Sequence, residues 1–412
     1  MIELKPQIEN FFRCPECKES FPAIRDVLVQ SIHIMADCKC KNCGFDFFQV
    51  FPVGHTIDDH LSIGKFNDRF YPSDNEQPWL FETLIKGNTQ VRKKEVLIER
   101  RVYKVCEDVI ILNTLDFLYG HVLLKLYNAI YHLDQQKNIG LIVIVPKSFE
   151  WLIPRGSAEA WVVDLKLSEL VYGYESIQKF VAQQFDRFDR IYLSKAYCHP
   201  DFSKIDIARL TGIAPFDING FNTAHPVFTF VLREDRWWFS SVADYAIYRV
   251  ARKLKRLSST RNLLASRQNG LVRNAIKHIR KQFPEAEFYI AGLGRTGDFN
   301  GLAHDERSVN VNEEQEIRWC KLYAQSHVVI GVHGSNMLLP TALAAGCVEI
   351  LPQDRYGNMI QDISVRYTDR RQLFFYRFAD QYSAAKSVAE KAIAMVRDYP
   401  QFEKDMCRHL YS

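Results

Sequence analysis

Runs of apolar residues of strand length alternate along this chain with segments whose apolar positions recur every three or four residues. Residues 95–113 (EVLIERRVYKVCEDVIILN) alternate apolar and polar as strands do, and residues 115–133 (LDFLYGHVLLKLYNAIYHL) have helical spacing. Residues 140–146 (GLIVIVP) form a continuous apolar run of the kind a buried strand needs. Strands are further expected at residues 161–165 and 190–193, with a helix over 176–188. A second series begins at Pro226 with the strand VFTFVLRED and helices over 244–257 and 270–283. It continues with the strand EFYIAGLG, a helix over 313–325, a short strand near 373–376 and a last helix over 383–399. Helices alternating with strands predict parallel sheets, and therefore an α/β fold class. The segment from Pro52 to Pro78 is polar and irregular and reads as a loop or linker.

One unit carries more chemistry than the others. Residues 328–352, VVIGVHGSNMLLPTALAAGCVEILP, read as strand, glycine-bearing turn, amphipathic helix and strand. In an open α/β sheet such a turn lies at the carboxyl end of a strand, where ligands bind. Gly331 and Gly334 would let the backbone approach a ligand, and His333 lies between them. A helix starting near Ser335 or Asn336 would offer unpaired N–H groups to an anion, and both residues are favoured N-caps. Any βαβ unit needs a glycine-containing turn, so the motif alone indicates an anion site without specifying one.

Length and composition set the frame. At 412 residues, two domains and a small module are expected, and 47% hydrophobic residues suffice for two cores. The expected divisions are 1–55, 56–225 and 226–412. No apolar run approaches membrane-helix length, and MIELKPQIENFF lacks signal-peptide character, so a cytoplasmic protein is expected. A net charge of +4 gives no case for nucleic acid. The basic stretch 249–261 (RVARKLKRLSSTR) reads as a solvated helix face that could touch an anionic membrane or glycolipid, a peripheral association.

Of ten cysteines, five fall between Cys14 and Cys43. Cys14 and Cys17 make one CxxC knuckle, and Cys40 and Cys43 make a second that Gly44 follows. Four thiolates arranged tetrahedrally suit Zn2+ in a structural role, since no coordination position stays open. Cys38 is the surplus thiol and could stand in for Cys40.

The residues 333–337 and 345–352 together resemble the donor-side signature of the family 61 glycosyltransferases, roughly "GVHGAGLTN…PGSSVVEI.P". That resemblance implies the B-type architecture, two Rossmann-like lobes, here with a small N-terminal zinc ribbon. It implies an enzyme that transfers a sugar from a nucleoside diphosphate sugar to a glycan, lipid-linked or protein acceptor, with inversion and without catalytic metal. The family's "VTFISRKDR" strand is matched by VFTFVLREDR at 227–236, which assigns Arg233 to the diphosphate, unless it merely pairs with Asp235. Arg236 is a weaker candidate for the same role and otherwise reads as a surface charge. In the following loop, LGRTGDFNGLAHD, Arg295 and Asp298 could contact base or ribose, and Glu349 could accept ribose hydroxyls or neutralise a buried arginine. On the acceptor side, His121 matches the histidine of the family's "HWLLDSLPRL" helix, whereas the aspartate expected four residues on is Lys125. General-base candidates are His121, the pair His199 and Asp201, and the group His55, Asp58, Asp59 and His60, which has enough acids for a metal site. No Asp-x-Asp pair stands at a strand end. The rival reading is a non-catalytic nucleotide- or nucleic-acid-binding protein whose ribbon recognises a partner.

Overall fold

The computed structural model describes residues 1–58, 61–67, 69–72, 78–201, 205–361, 363–364 and 370–410. The chain divides into two compact units, Met1–Pro200 and Asp201–Ser412. Both are α/β with a Rossmann-like parallel core, and a small four-cysteine module lies within the first. The division falls earlier than the expected 225/226 boundary because Ile218 and Phe221 are buried in the core of the second unit.

The first unit opens with β1 (Ile2–Lys5). An antiparallel sheet follows, formed by β2 (Ala23–Gln30), β3 (His33–Lys39), β4 (Asp46–Val50), β5 (Ser62–Gly64) and β6 (Phe70–Tyr71). Its last two strands lie in the segment that reads as loop from sequence, being too short and polar to announce themselves. Helix α1 (Pro78–Thr89) packs Leu80 and Leu84 against Leu28, Met35 and Val50 of this sheet. The large sheet uses β7 (Ile98–Val102), β8 (Asp108–Asn113), β9 (Gly140–Pro146), β10 (Glu159–Val163) and β11 (Arg190–Leu193), joined by α2 (Tyr119–Gln135) and α3 (Glu175–Phe185). Its order is β1-β11-β8-β9-β10-β7, in which β8 to β11 are mutually parallel and the two edge strands antiparallel. Every residue of β9 is buried, as a strand covered on both faces requires. Charged β7, IERRV, blunts the exposed edge.

The small sheet is not a separate ribbon over residues 1–55, as the sequence suggests. Phe12, Cys14, Cys38, Cys40 and Phe47 share one core with Val109, Ile111, Ile142 and Ile144 of the large sheet.

The second unit contains α4 (Ile207–Thr211), β12 (Val227–Arg233), α5 (Val242–Lys253), α6 (Leu257–Gln282), β13 (Glu287–Leu293), β14 (His304–Asp305) and α7 (Glu313–Gln325). It continues through β15 (Val328–Val332), α8 (Leu338–Leu343), β16 (Gly346–Leu351), β17 (Tyr376–Asp380), α9 (Ala385–Arg397) and α10 (Tyr399–Leu410). All six strands are parallel, in the order β14-β13-β12-β15-β16-β17. Numbered within the unit this is 3-2-1-4-5-6, the doubly wound dinucleotide-binding order, whose strand order reverses between β12 and β15. The parallel strands of the first unit run 4-1-2-3, with the same reversal between β8 and β11. Among the described residues no helix is long and apolar enough to cross a membrane.

Candidate functional site

In each unit, the residues that carry chemistry gather at the carboxyl edge of the sheet where the strand order reverses. In the second unit this edge is formed by the segments after β12 and β15. His333 extends the ladder, its N–H donating to Ile350 O at 2.9 Å, and its ring is fully buried. A hydrogen bond of 2.8 Å joins its Nδ1 to Glu349 Oε2, so Glu349 holds the histidine of the turn. Arg236 donates from Nη1 to His333 O at 2.9 Å. Gly334 has φ of 149°, and a β-carbon there would collide with the Arg236 guanidinium. The arginine read as a surface charge is therefore the one that reaches the turn.

Arg233 instead closes on Asp235 through two parallel bonds of 2.7 and 2.6 Å. Burial would raise the Asp235 carboxyl, but the Arg233 guanidinium outweighs it and holds the group below its ordinary range. Gly331 is needed for packing, since a β-carbon there would meet Met337 Sδ. The helix expected to begin at Ser335 is a single 3-10 turn, Ser335–Met337, followed by the six-residue α8, which is buried all round and not amphipathic. Neither Ser335 nor Asn336 caps it, and so short a helix sums only a small dipole. What the turn does hold is Asn336 Oδ1, buried with no hydrogen-bond partner among the described residues. Arg295 and Asp298 are exposed on the loop after β13, which is tied to the end of β12 by Thr296 N–H donating to Glu234 Oε1 at 2.6 Å.

In the first unit the edge is formed by the segments after β8 and β11. Asp116, wholly buried, follows β8, and His121 lies in the first turn of α2 with Nδ1 3.2 Å from Asp116 Oδ1. Lys125, one turn further on and also buried, donates to Asp116 Oδ2 at 2.8 Å and to Leu115 O at 3.1 Å. Burial alone would raise the Asp116 carboxyl; the ammonium of Lys125 and then His121 reverse that and hold it well below the usual carboxylate range. The lysine that departs from the family pattern is thus matched by a carboxylate nine residues upstream. His55, in the turn Gly54–Thr56, has its ring 4.0 Å from that of His121, and Trp79 lies 5.0 and 5.5 Å from the two. Burial, then the charges of His121 and Lys125, push His55 down to about 2, so it is neutral at physiological pH. His55, Asp116 and His121 have ligand atoms close enough to share an ion, but Lys125 already balances the one carboxylate. His199 and Asp201 are exposed, Asp58 is exposed, and Asp59 and His60 lie outside the described residues.

The four cysteines Cys14, Cys17, Cys40 and Cys43 bring their sulfurs within 4.8 Å of one another, with Cys14–Cys43 at 3.6 Å and Cys17–Cys40 at 3.5 Å. Sulfurs that spacing apart suit a tetrahedral ion with metal–sulfur bonds of about 2.3 Å. The two knuckles are copies. Lys18 N–H donates to Cys14 O at 3.0 Å, as Gly44 N–H does to Cys40 O at 3.1 Å. Cys14 N–H bonds Glu19 O at 2.8 Å, as Cys40 N–H bonds Phe45 O at 2.9 Å, and Lys18 and Gly44 share a left-handed backbone, φ 61° and 73°. Cys38 is not a fourth ligand: it is buried in β3, outside the cluster, and its burial pushes the thiol up to about 12.

Asp116 escaped sequence reasoning, and nothing in the spacing joins His55 to His121 or Arg236 to the turn at 333–336. The signal for Asp116 was an aspartate between Leu115 and Phe117 where a buried strand ends, a place that rarely tolerates charge without purpose.

No family model and no curated protein matches the chain. Among solved structures it is similar to the ADP-heptose lipopolysaccharide heptosyltransferase II of E. coli, with TM-score 0.38 and 11% identity over 71% of this chain and 99% of that one. It is also similar to the iron-containing dodecameric glycosyltransferase TibC of enterotoxigenic E. coli, with TM-score 0.33 and 10% identity over 93% and 100%. A third likeness is to the accessory secretory proteins 1, 2 and 3 of Streptococcus pneumoniae, with TM-score 0.29 and 7% identity over 97% and 61%.

Proposed function

We propose that the chain is a glycosyltransferase that moves a sugar from a nucleoside diphosphate sugar to an acceptor hydroxyl, with a structural Zn2+ on the four thiolates. The observation that carries the reading is the turn at the reversal point of the second sheet. There a buried His–Glu pair, an arginine under a left-handed glycine, and an unsatisfied Asn336 oxygen occur together in residues that resemble a donor-binding signature. A Rossmann-like sheet binds nucleotides at that place.

In this reading the donor's diphosphate lies against the turn 333–336, with Arg236 nearest and Arg233 recruited by exchanging Asp235 for a phosphate. That exchange is cheap, because the Arg233–Asp235 pair is partly exposed and such pairs contribute about 1 kcal/mol or less. The leaving diphosphate is then stabilised by fixed positive charge. The acceptor belongs to the first unit, where His121 is the base for its hydroxyl proton. Asp116 fixes the His121 tautomer and stabilises the imidazolium, and Lys125 keeps Asp116 ionised.

A thermal-shift panel of UDP-, GDP-, ADP- and CMP-sugars tests this. One nucleoside diphosphate sugar, at a hundredfold excess over Kd, should raise Tm by about 5–10 °C. A panel in which none stabilises the protein, or a short RNA duplex does so instead, would overturn the reading.

A further inference from the structure

We propose that the helical elbow between α5 and α6 is a docking surface for anionic membrane lipid. Residues 245–284 contain eleven of the chain's 53 Lys and Arg and none of its 49 Asp and Glu. The last acid before that stretch, Asp244, is buried and paired with Arg267. Arg249, Arg252, Lys253, Lys255, Arg256 and Arg261 are all exposed, and none forms an ion pair among the described residues.

Charge alone would indicate only a solvated face. The apolar positions add a second, independent observation. Val242, Ala246, Val250 and Leu254, four residues apart, form one exposed stripe, with Val242, Val250 and Leu254 at 66%, 58% and 60% exposure. The opposite side of α5 supplies the buried Asp244 and Ala251, and Tyr245 and Tyr248 pack toward Phe239. Leu257 and Leu263 continue the exposed apolar positions into α6. Helical spacing places Arg249 and Lys253 beside the stripe, so their aliphatic stems can lie along it while their charges reach outward.

An aliphatic stripe flanked by arginine and lysine is the pattern of a helix that rests in the plane of the lipid headgroups, its apolar side a few ångström into the acyl boundary. The anionic headgroups supply the complementary charge. A nucleic acid would meet the same cations, but exposed Val and Leu give a base no face to stack on. The attachment is peripheral, because no described helix can span a bilayer. The inference is independent of the transfer reaction.

Co-sedimentation of the full chain with phosphatidylglycerol-containing vesicles, against phosphatidylcholine vesicles, is the test. Wild type should pellet with the former only. Arg252→Gln with Lys253→Gln and Arg256→Gln should weaken binding on the order of a hundredfold. Val250→Asp with Leu254→Asp should weaken it by at least about tenfold, with Tm unchanged because both positions are exposed. Wild type remaining in the supernatant would overturn the proposal. So would charge dependence with no effect of the aspartates, which marks a purely ionic contact, or RNA displacing the protein from the vesicles.

Discussion

At the scale of residues, Asp116 and Lys125 pose a test that separates stability from chemistry. Both are buried, so removing one partner strands a charge and costs about 3–5 kcal/mol. Lys125→Met and Asp116→Asn should each lower stability by that order in denaturant titrations, and the double variant should recover most of it. Turnover behaves differently on the proposed mechanism. Any variant lacking the Asp116 carboxylate leaves His121 free to adopt the wrong tautomer, a loss of about 10³–10⁴ in kcat. A double variant restored in both respects would remove Asp116 from the chemistry. On the donor side, Arg236→Ala should abolish the nucleotide-sugar Tm shift while Arg233→Ala only reduces it, since Arg236 is already bound to the turn. Equal shifts in both variants and wild type would exclude both arginines from donor binding.

At the scale of elements, the twin knuckles predict that Cys14→Ser or Cys43→Ser loses one equivalent of bound zinc by elemental analysis. Either should also destabilise the first unit, because Cys14 and Cys40 are buried in its main core. A zinc-free variant with unchanged Tm would refute the structural role. The knuckles were legible from CxxC spacing alone, since metal coordination imposes its own short-range pattern. Strands such as β9 and β11 and helix α7 were legible almost to the residue, because continuous or periodic apolar runs state their burial directly. The rest depended on contacts that spacing does not encode. Helix α8 reads as amphipathic, but its polar Thr341 bonds back to Met337 O at 2.7 Å and is buried, so no exposed face exists. Helix α6 begins at Leu257, well before the start expected at 270, because the weak helix formers Ser258, Ser259 and Thr260 are tolerated on its first turn. His333 and the turn it anchors were legible, while its partner Glu349, sixteen residues away, was assigned to a ligand or an arginine because only strand pairing brings the two together.

For the whole molecule, acid should act unequally on the two units. Burial lowers His33, His132 and His327 to about 4, and His55 further still. Each folded-state pKa lies below the unfolded value near 6.5, so between about pH 6.5 and 4 the unfolded chain binds the extra proton and stability falls as pH falls. Three of the four lie in the first unit, and each contributes up to about 1.4 kcal/mol per pH unit in that window. Hydrogen exchange followed by peptide should therefore show Met1–Pro200 opening at a higher pH than Asp201–Ser412. The reverse order would mean that these histidines are charged in the fold. The pairing of β1 with β11 has a consequence for how the protein is made. Ile2 lies against Leu193 in the register, so the first strand waits for the last before the large sheet can close. At ribosomal speeds of about 5–20 residues per second, Cys43 leaves the ribosome roughly eight to thirty seconds before Leu193. During that interval the thiols can take their metal while the hydrophobic side of the small sheet still lacks its cover. A nascent chain stalled short of β11 would thus be metal-loaded and prone to stick to chaperones, and one released past Pro200 would be able to shut.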